Sequence, residues 1–194
     1  NLDAALKYWN KVAKPHIVSI RTDPRPRINP VLLDRAFAVA PASELDRWNL
    51  LTTQARLENL SVFSSFRFDL QARDGGDFDL VFRNSQRHGC GVNTWACLLS
   101  SFGELPAQTV HFNYFDLGKR ALNFYSLLRW DGEKRRAVAE VEMPVEGTPK
   151  WRVRFGADLR NENWALRTSF SGTAPLLSAF NLKRETVRGE FTDV

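Results

Sequence analysis

The chain has 194 residues, 25% of them charged and 43% hydrophobic, with a formal net charge of +5 and a mean hydropathy of −0.34. That length fits one or two domains, and the absence of any run of about 18 apolar residues excludes a transmembrane helix but not a β-barrel, whose lumen-facing residues dilute the apolar ones. Lys and Arg are scattered along the chain, as on a solvated surface, so no nucleic-acid partner is expected.

Taken in order, the chain opens at Asn1 without a signal-peptide pattern and reads as an internal fragment. Leu2, Leu6, Trp9 and Ala13 follow a helical spacing, so residues 1–14 are expected to be the end of an upstream element stopped by Pro15. Residues 15–83 read as an α+β unit. Val18 and Ile20 predict a strand over 16–21 with both on one face, and Pro24 and Pro26 forbid regular structure after it. Asn29 is a good N-cap and Pro30 fits the first helical position, with Leu32, Leu33, Ala36 and Phe37 as the apolar face and Pro41 as the stop. Ser43 is expected to cap a second helix in which Trp48, Leu51 and Ala55 share a face, with Leu50 and Leu57 beside it. Phe66, Phe68, Leu70 and Ala72 alternate with polar residues, Asp74-Gly75-Gly76 is a hairpin turn signal, and Phe78, Leu80 and Phe82 continue the alternation. The expected order is strand, helix, helix, strand, strand, with Phe66, Phe68 and Leu70 packed on Leu33, Phe37, Leu51 and Ala55.

Residues 84–107 read as a linker with a short helix, because Trp95, Leu98, Leu99 and Phe102 stand at i, i+3, i+4 and i+7, and Gly103 and Pro106 end it. Cys90 and Cys97 lie in this stretch. A disulfide and two free thiols are both open from spacing alone, whereas a metal site with His88 does not match zinc ligand patterns.

From 108 the sequence becomes a train of period-two segments. Trp151, Val153, Phe155, Ala157 and Leu159 alternate with Arg152, Arg154, Gly156, Asp158 and Arg160, over about the ten residues that cross a bilayer at a tilt. Ala137, Ala139, Val141 and Met143 alternate with Arg136, Val138, Glu140 and Glu142. Strands are expected over 109–115, 122–130, 135–143, 151–160 and 164–170, with a further one near 184–192, joined by tight turns at 116–119, 131–134 and 146–149. Trp130, Trp151 and Trp164 are expected at strand ends, as in an interfacial aromatic girdle. Periodicity leaves two readings open: a soluble sheet with one face in a core, and an outer-membrane barrel with a wet lumen. Lys134-Arg135-Arg136 reads as a solvated turn or a holder of lipid phosphate. Glu140 and Glu142 with Arg152 and Arg154 read as cross-strand charge pairs, and no nucleophile elbow, phosphate loop or metalloprotease motif suggests an enzyme.

The order of elements in 15–83, together with Leu57-Glu58-Asn59-Leu60-Ser61-Val62-Phe63 before the hairpin, resembles a POTRA domain. The segments Leu128-Arg129-Trp130-Asp131-Gly132 and Asp158-Leu159-Arg160-Asn161-Glu162-Asn163-Trp164 are similar to early barrel strands of the Omp85 superfamily of BamA- and TamA-like outer-membrane assembly factors. Two departures stand out: Asn59-Leu60, where that family often carries a Gly in a left-handed turn, and the Pro-rich connection after the first strand. The family's later Arg-Gly-Phe/Tyr barrel-loop motif is not in the chain. The resemblance implies an α+β POTRA domain followed by an antiparallel meander, the N-terminal part of a transmembrane β-barrel over 108–194. It also implies insertion of β-barrel proteins by strand addition, with no cofactor. Its partners would be unfolded outer-membrane clients, periplasmic accessory proteins and outer-membrane lipid, with the POTRA domain in the periplasm. Thr109, Val110, His111, Phe112, Asn113, Tyr114 and Phe115 would form the edge that pairs with a client. A two-partner secretion translocator of the same superfamily and a soluble β-rich binding module are the alternatives. The client, the number of POTRA repeats and the total strand number stay open.

Overall fold

The computed structural model describes residues 14–90, 93–170 and 172–194, so the expected helix over 1–13 lies outside the described residues. The first unit comprises β1 (His16–Asp23), α1 (Pro30–Ala36), β2 (Ser43–Glu44), α2 (Arg47–Leu60), β3 (Phe63–Ala72) and β4 (Phe78–Gln86). Its sheet runs β2-β1-β4-β3, with β1 parallel to β4 and the other pairs antiparallel. Parallel strands need a long crossover, and α1 and α2 supply it. Asn29 caps α1 as expected, its side chain accepting from the Val31 N–H at 2.9 Å, and Pro30 opens the helix. Leu32, Leu33 and Ala36 are its buried residues.

Five local expectations are corrected. Val18 is not the inward residue of β1: the register slips between Ile17 and Ser19, so Ile17 is fully buried and Ile20 joins it in the core. Helix α1 ends at Ala36, before Pro41, and Ser43 pairs with β1 instead of capping α2, which starts after Asp46. The stripe on α2 is displaced by two residues: Leu50, Thr53, Leu57 and Leu60 are buried, while Trp48 and Leu51 are exposed. The left-handed residue at the end of α2 is Ser61, with φ 55°, so Asn59 does not take the strain expected of it and is free for another task. The core centres on Phe82, which packs edge-to-face on Phe37 and Phe63, with Phe66 and Phe68 half-buried beside it. Ala121, from the second unit, closes this cluster.

Helix α3 (Thr94–Phe102) links the two units, its N–H groups at Trp95 and Ala96 capped by Asn93. Cys90 and Cys97 are joined in a disulfide, which settles the alternative left open above. The second unit is an open five-stranded antiparallel meander, β5 (Thr109–Leu117), β6 (Leu122–Trp130), β7 (Lys134–Pro144), β8 (Trp151–Arg167) and β9 (Leu176–Asp193), paired in sequence order. The strands expected at 151–160 and 164–170 are one continuous β8, and the further strand starts at Leu176 and not near 184. Asn161, Glu162 and Asn163 look like a turn by composition but pair in register with Lys183, Leu182 and Asn181. Trp164 therefore lies inside a strand, not at its end.

Candidate functional site: the two-faced sheet and its edge

The register assigns every residue of the meander to a face, since directly paired residues point the same way. Tyr114, Phe124, Val141 and Phe155 align across four strands, and Phe112, Ser126, Ala139, Ala157 and Val187 across all five. This outer face is apolar and open: Val187 is 87% exposed, Phe155 60% and Leu159 50%. A patch of this kind marks an interaction or membrane surface, because water-facing sheets carry polar residues there. Trp151, Val153, Phe155, Ala157 and Leu159 thus share one face and Arg152, Arg154, Asp158 and Arg160 the other.

The opposite face is charged and internally paired. Arg136 grips Asp158 with two bonds of 3.0 and 2.8 Å, and Arg160 reaches the same carboxylate at 2.6 Å. Arg136 is thereby neutralised, and Lys134 lies over the Trp164 ring at 5.1 Å, so the basic run at 134–136 does not act as one patch. Glu142, 1% exposed, accepts from Arg154 Nη2 at 2.8 Å, Tyr125 Oη at 2.9 Å and Asn123 Nδ2 at 3.2 Å. A buried carboxylate is tolerable only when so many donors satisfy it. The same cluster fastens the two units together. Asn123 also donates to Leu60 O at 3.0 Å, Arg152 to Ser61 Oγ at 3.2 Å, and Asn59 to Pro149 O at 2.9 Å. The cross-strand pairing of Glu140 and Glu142 with Arg154 is legible from charge alternation. The part played by Asn59, Asn123 and Tyr125 is not, since a polar residue facing a distant loop leaves no periodic trace.

Thr109, Val110, His111, Phe112, Asn113, Tyr114 and Phe115 all lie in β5, which is an edge of the sheet. The edge is nevertheless largely covered. The N–H and C=O of one residue point to the same side of an antiparallel strand, and alternate residues alternate sides. On the outer side, Asn113 O accepts from Cys90 N at 2.8 Å, Phe115 N donates to Cys90 O at 3.3 Å, and Thr109 N donates to Glu104 O at 3.2 Å. His111 sits between the covered stretches, its Nδ1 3.4 Å from Glu104 Oε2. Gly89 makes the cover possible: a Cβ there would stand 2.7 Å from the Phe115 ring and 2.8 Å from Asn113 O. Helix α3 follows, with no charged residue, its Phe102 ring edge-on to Phe112 at 6.2 Å, while Trp95, Leu98 and Leu99 face outward. The other edge, β9, pairs on its free side with no strand among the described residues.

The fold is similar to two solved structures. One is BamA from Haemophilus ducreyi lacking POTRA domains 1–3, at 12% identity and a TM-score of 0.42, over 89% of this chain and 31% of that one. The other is CdiB from Acinetobacter baumannii, at 12% identity and a TM-score of 0.39, over 83% of this chain and 31% of that one. The chain spans about a third of the length of either structure. No family model and no curated protein matches it.

Proposed function

We propose that this chain is part of an outer-membrane β-barrel assembly or insertion factor of the Omp85 type. In this reading the first unit is a POTRA-like domain in the periplasm and the meander is the beginning of a barrel. The observation that carries it is the meander's pair of faces: an apolar face left open to its surroundings and a charged, mutually paired face behind it. A soluble module would bury the first; here Phe102 of α3 covers it only at Phe112 on β5, and Phe155, Leu159 and Val187 on β8 and β9 stay exposed. Clients would be unfolded barrel proteins, received by backbone pairing at a strand edge. On β5 such pairing starts at His111 and extends only as the Cys90 segment gives way. Lipid and periplasmic accessory proteins complete the set of partners, and the chemistry needs no cofactor.

The test is reconstitution of the full protein in liposomes with an unfolded outer-membrane barrel as client, following the client's heat-modifiable gel mobility. Faster client folding than in empty liposomes is expected, together with a disulfide cross-link between a cysteine at His111 and one in the client's terminal strand. A vesicle-inserted protein that leaves client folding unchanged, and forms no cross-link, overturns the assembly reading.

A further inference from the structure

At the junction of the two units, helix α1, the β5–β6 turn and the end of β7 enclose a groove of about 750 Å³. Its floor is apolar: Val31, Leu117, Leu122 and Met143 line it, and Val31, Leu117 and Met143 are exposed. Met143 and Leu122 belong to the outer apolar face, so the floor continues without a break into the surface that carries Val141 and Phe155. At the rim stand Arg35, Lys119 and Arg120, and no carboxylate lines the groove among the described residues. Arg35 is held there by its bond from Nη1 to Gly147 O at 2.9 Å, and Lys119 by the backbone bond from Asn29 N to its carbonyl at 3.1 Å. The turn that presents Lys119 and Arg120 is anchored from beneath by Ala121, buried in the core of the first unit.

We propose that this groove seats an anionic phospholipid, its phosphate among Arg35, Lys119 and Arg120 and its acyl chains along Met143 and the outer face. This rests on the membrane reading of the meander. Charge and geometry agree on the occupant: three cations stand where an apolar face meets a polar domain, which is the depth of a headgroup. A soluble phosphate compound would leave the apolar floor wet, and an apolar peptide would leave the cations without a matching charge.

The full chain is inserted into nanodiscs of phosphatidylcholine, with and without phosphatidylglycerol, and the lipid that stays bound on release is identified by native mass spectrometry. Retention of phosphatidylglycerol over phosphatidylcholine is expected. Lys119→Gln with Arg120→Gln, both exposed turn residues, should lower that preference about thirtyfold, the scale for taking two cations from an anionic surface. Arg35→Lys should retain it. Equal preference in the wild type and the double variant overturns the site, as does retention that ignores salt in the wild type, a measurement that stands even where the variant fails to insert. A chain that enters the discs without preferring either lipid overturns the site alone; a chain that does not enter them overturns the membrane reading as well.

Discussion

Phe82 is the side chain on which the first unit turns. It is fully buried and its ring meets those of Phe37, Phe63, Phe66 and Phe68. Phe82→Ala should lower stability by about 3–5 kcal/mol, read from the shift in the denaturant midpoint, with Phe68→Ala costing visibly less because that ring is half-buried. Equal costs would contradict this packing. Asp79 makes a second prediction. Its carboxylate accepts from Ser19 Oγ at 2.7 Å and pairs with Arg73 at 2.9 Å and Arg21 at 3.0 Å. The Ser19 hydroxyl first, with the two guanidiniums, holds it below the usual carboxylate range although burial pulls the other way. A depressed folded-state pKa gives stability that is present above the unfolded value and lost as pH falls through the folded one. Stability should therefore fall on acidification below the ordinary Asp range, and Asp79→Asn should flatten that fall in a pH series of unfolding midpoints. An unchanged acid limb in the variant would sink this account. At this scale the alternation was readable and the exact inward residue was not. One slipped residue at Val18 hands the core to Ile17, and on α2 the choice between Leu50 and Leu51 is made by what packs against the helix.

Among the elements, the strap formed by Gly89 and Cys90 is the one that bears on function, because it occupies backbone groups of β5 that a client would need. Gly89→Ala should push the strap off, since the new methyl group would meet the Phe115 ring and the Asn113 carbonyl. Hydrogen exchange at the Phe115 amide should speed up in that variant, with exchange in β7 unchanged. Equal protection of Phe115 in both proteins would show that the strap is not what covers it. Cys90→Ser should act in the same direction by freeing the strap from α3. The helix itself was legible from its apolar spacing. Its companion strap was not, because a single bridged residue carries no period, and the pairing of the two cysteines could be stated only once the chain had brought their Cα atoms to 4.5 Å.

For the molecule as a whole, the open apolar face governs behaviour. The five strands of the meander, fewer than the roughly eight in the smallest outer-membrane barrels, form an open sheet among the described residues. The chain should stay with membranes through high-salt washing and come off only in detergent; a monomer that remains in aqueous buffer would remove the basis for the barrel reading. Phe155→Arg should cost about 2–4 kcal/mol of stability in bilayers if this position lies near mid-depth, measured by reversible folding into vesicles. The order of the long elements in the first unit and the two faces of the meander were readable, since each follows from a period kept over many residues; the two-residue β2 between the helices was not, being too short to carry a period. The length of β8 was not readable, for the polar triplet at 161–163 carries the composition of a turn.

That triplet has a further consequence. Below it, Leu159 and Phe155 point outward; above it, Trp164, Leu166, Phe180 and Leu182 all stand on the side that carries Arg154 and Arg160, and Asn163 and Asn181 take the outward side. The hairpin of β8 and β9 is about 58 Å long, close to twice the hydrocarbon thickness of a bilayer. Apolar outside and charged inside is the rule of its lower half; polar outside and apolar inside is the rule of its upper half, as in any water-borne protein. Under the barrel reading the inversion at Asn161 is a waterline written into one strand, above which the hairpin stands clear of the bilayer with its apolar side turned inward. With other tryptophans replaced, Trp151 should be quenched by brominated lipid and Trp164 by aqueous acrylamide; the reverse assignment would place the waterline elsewhere.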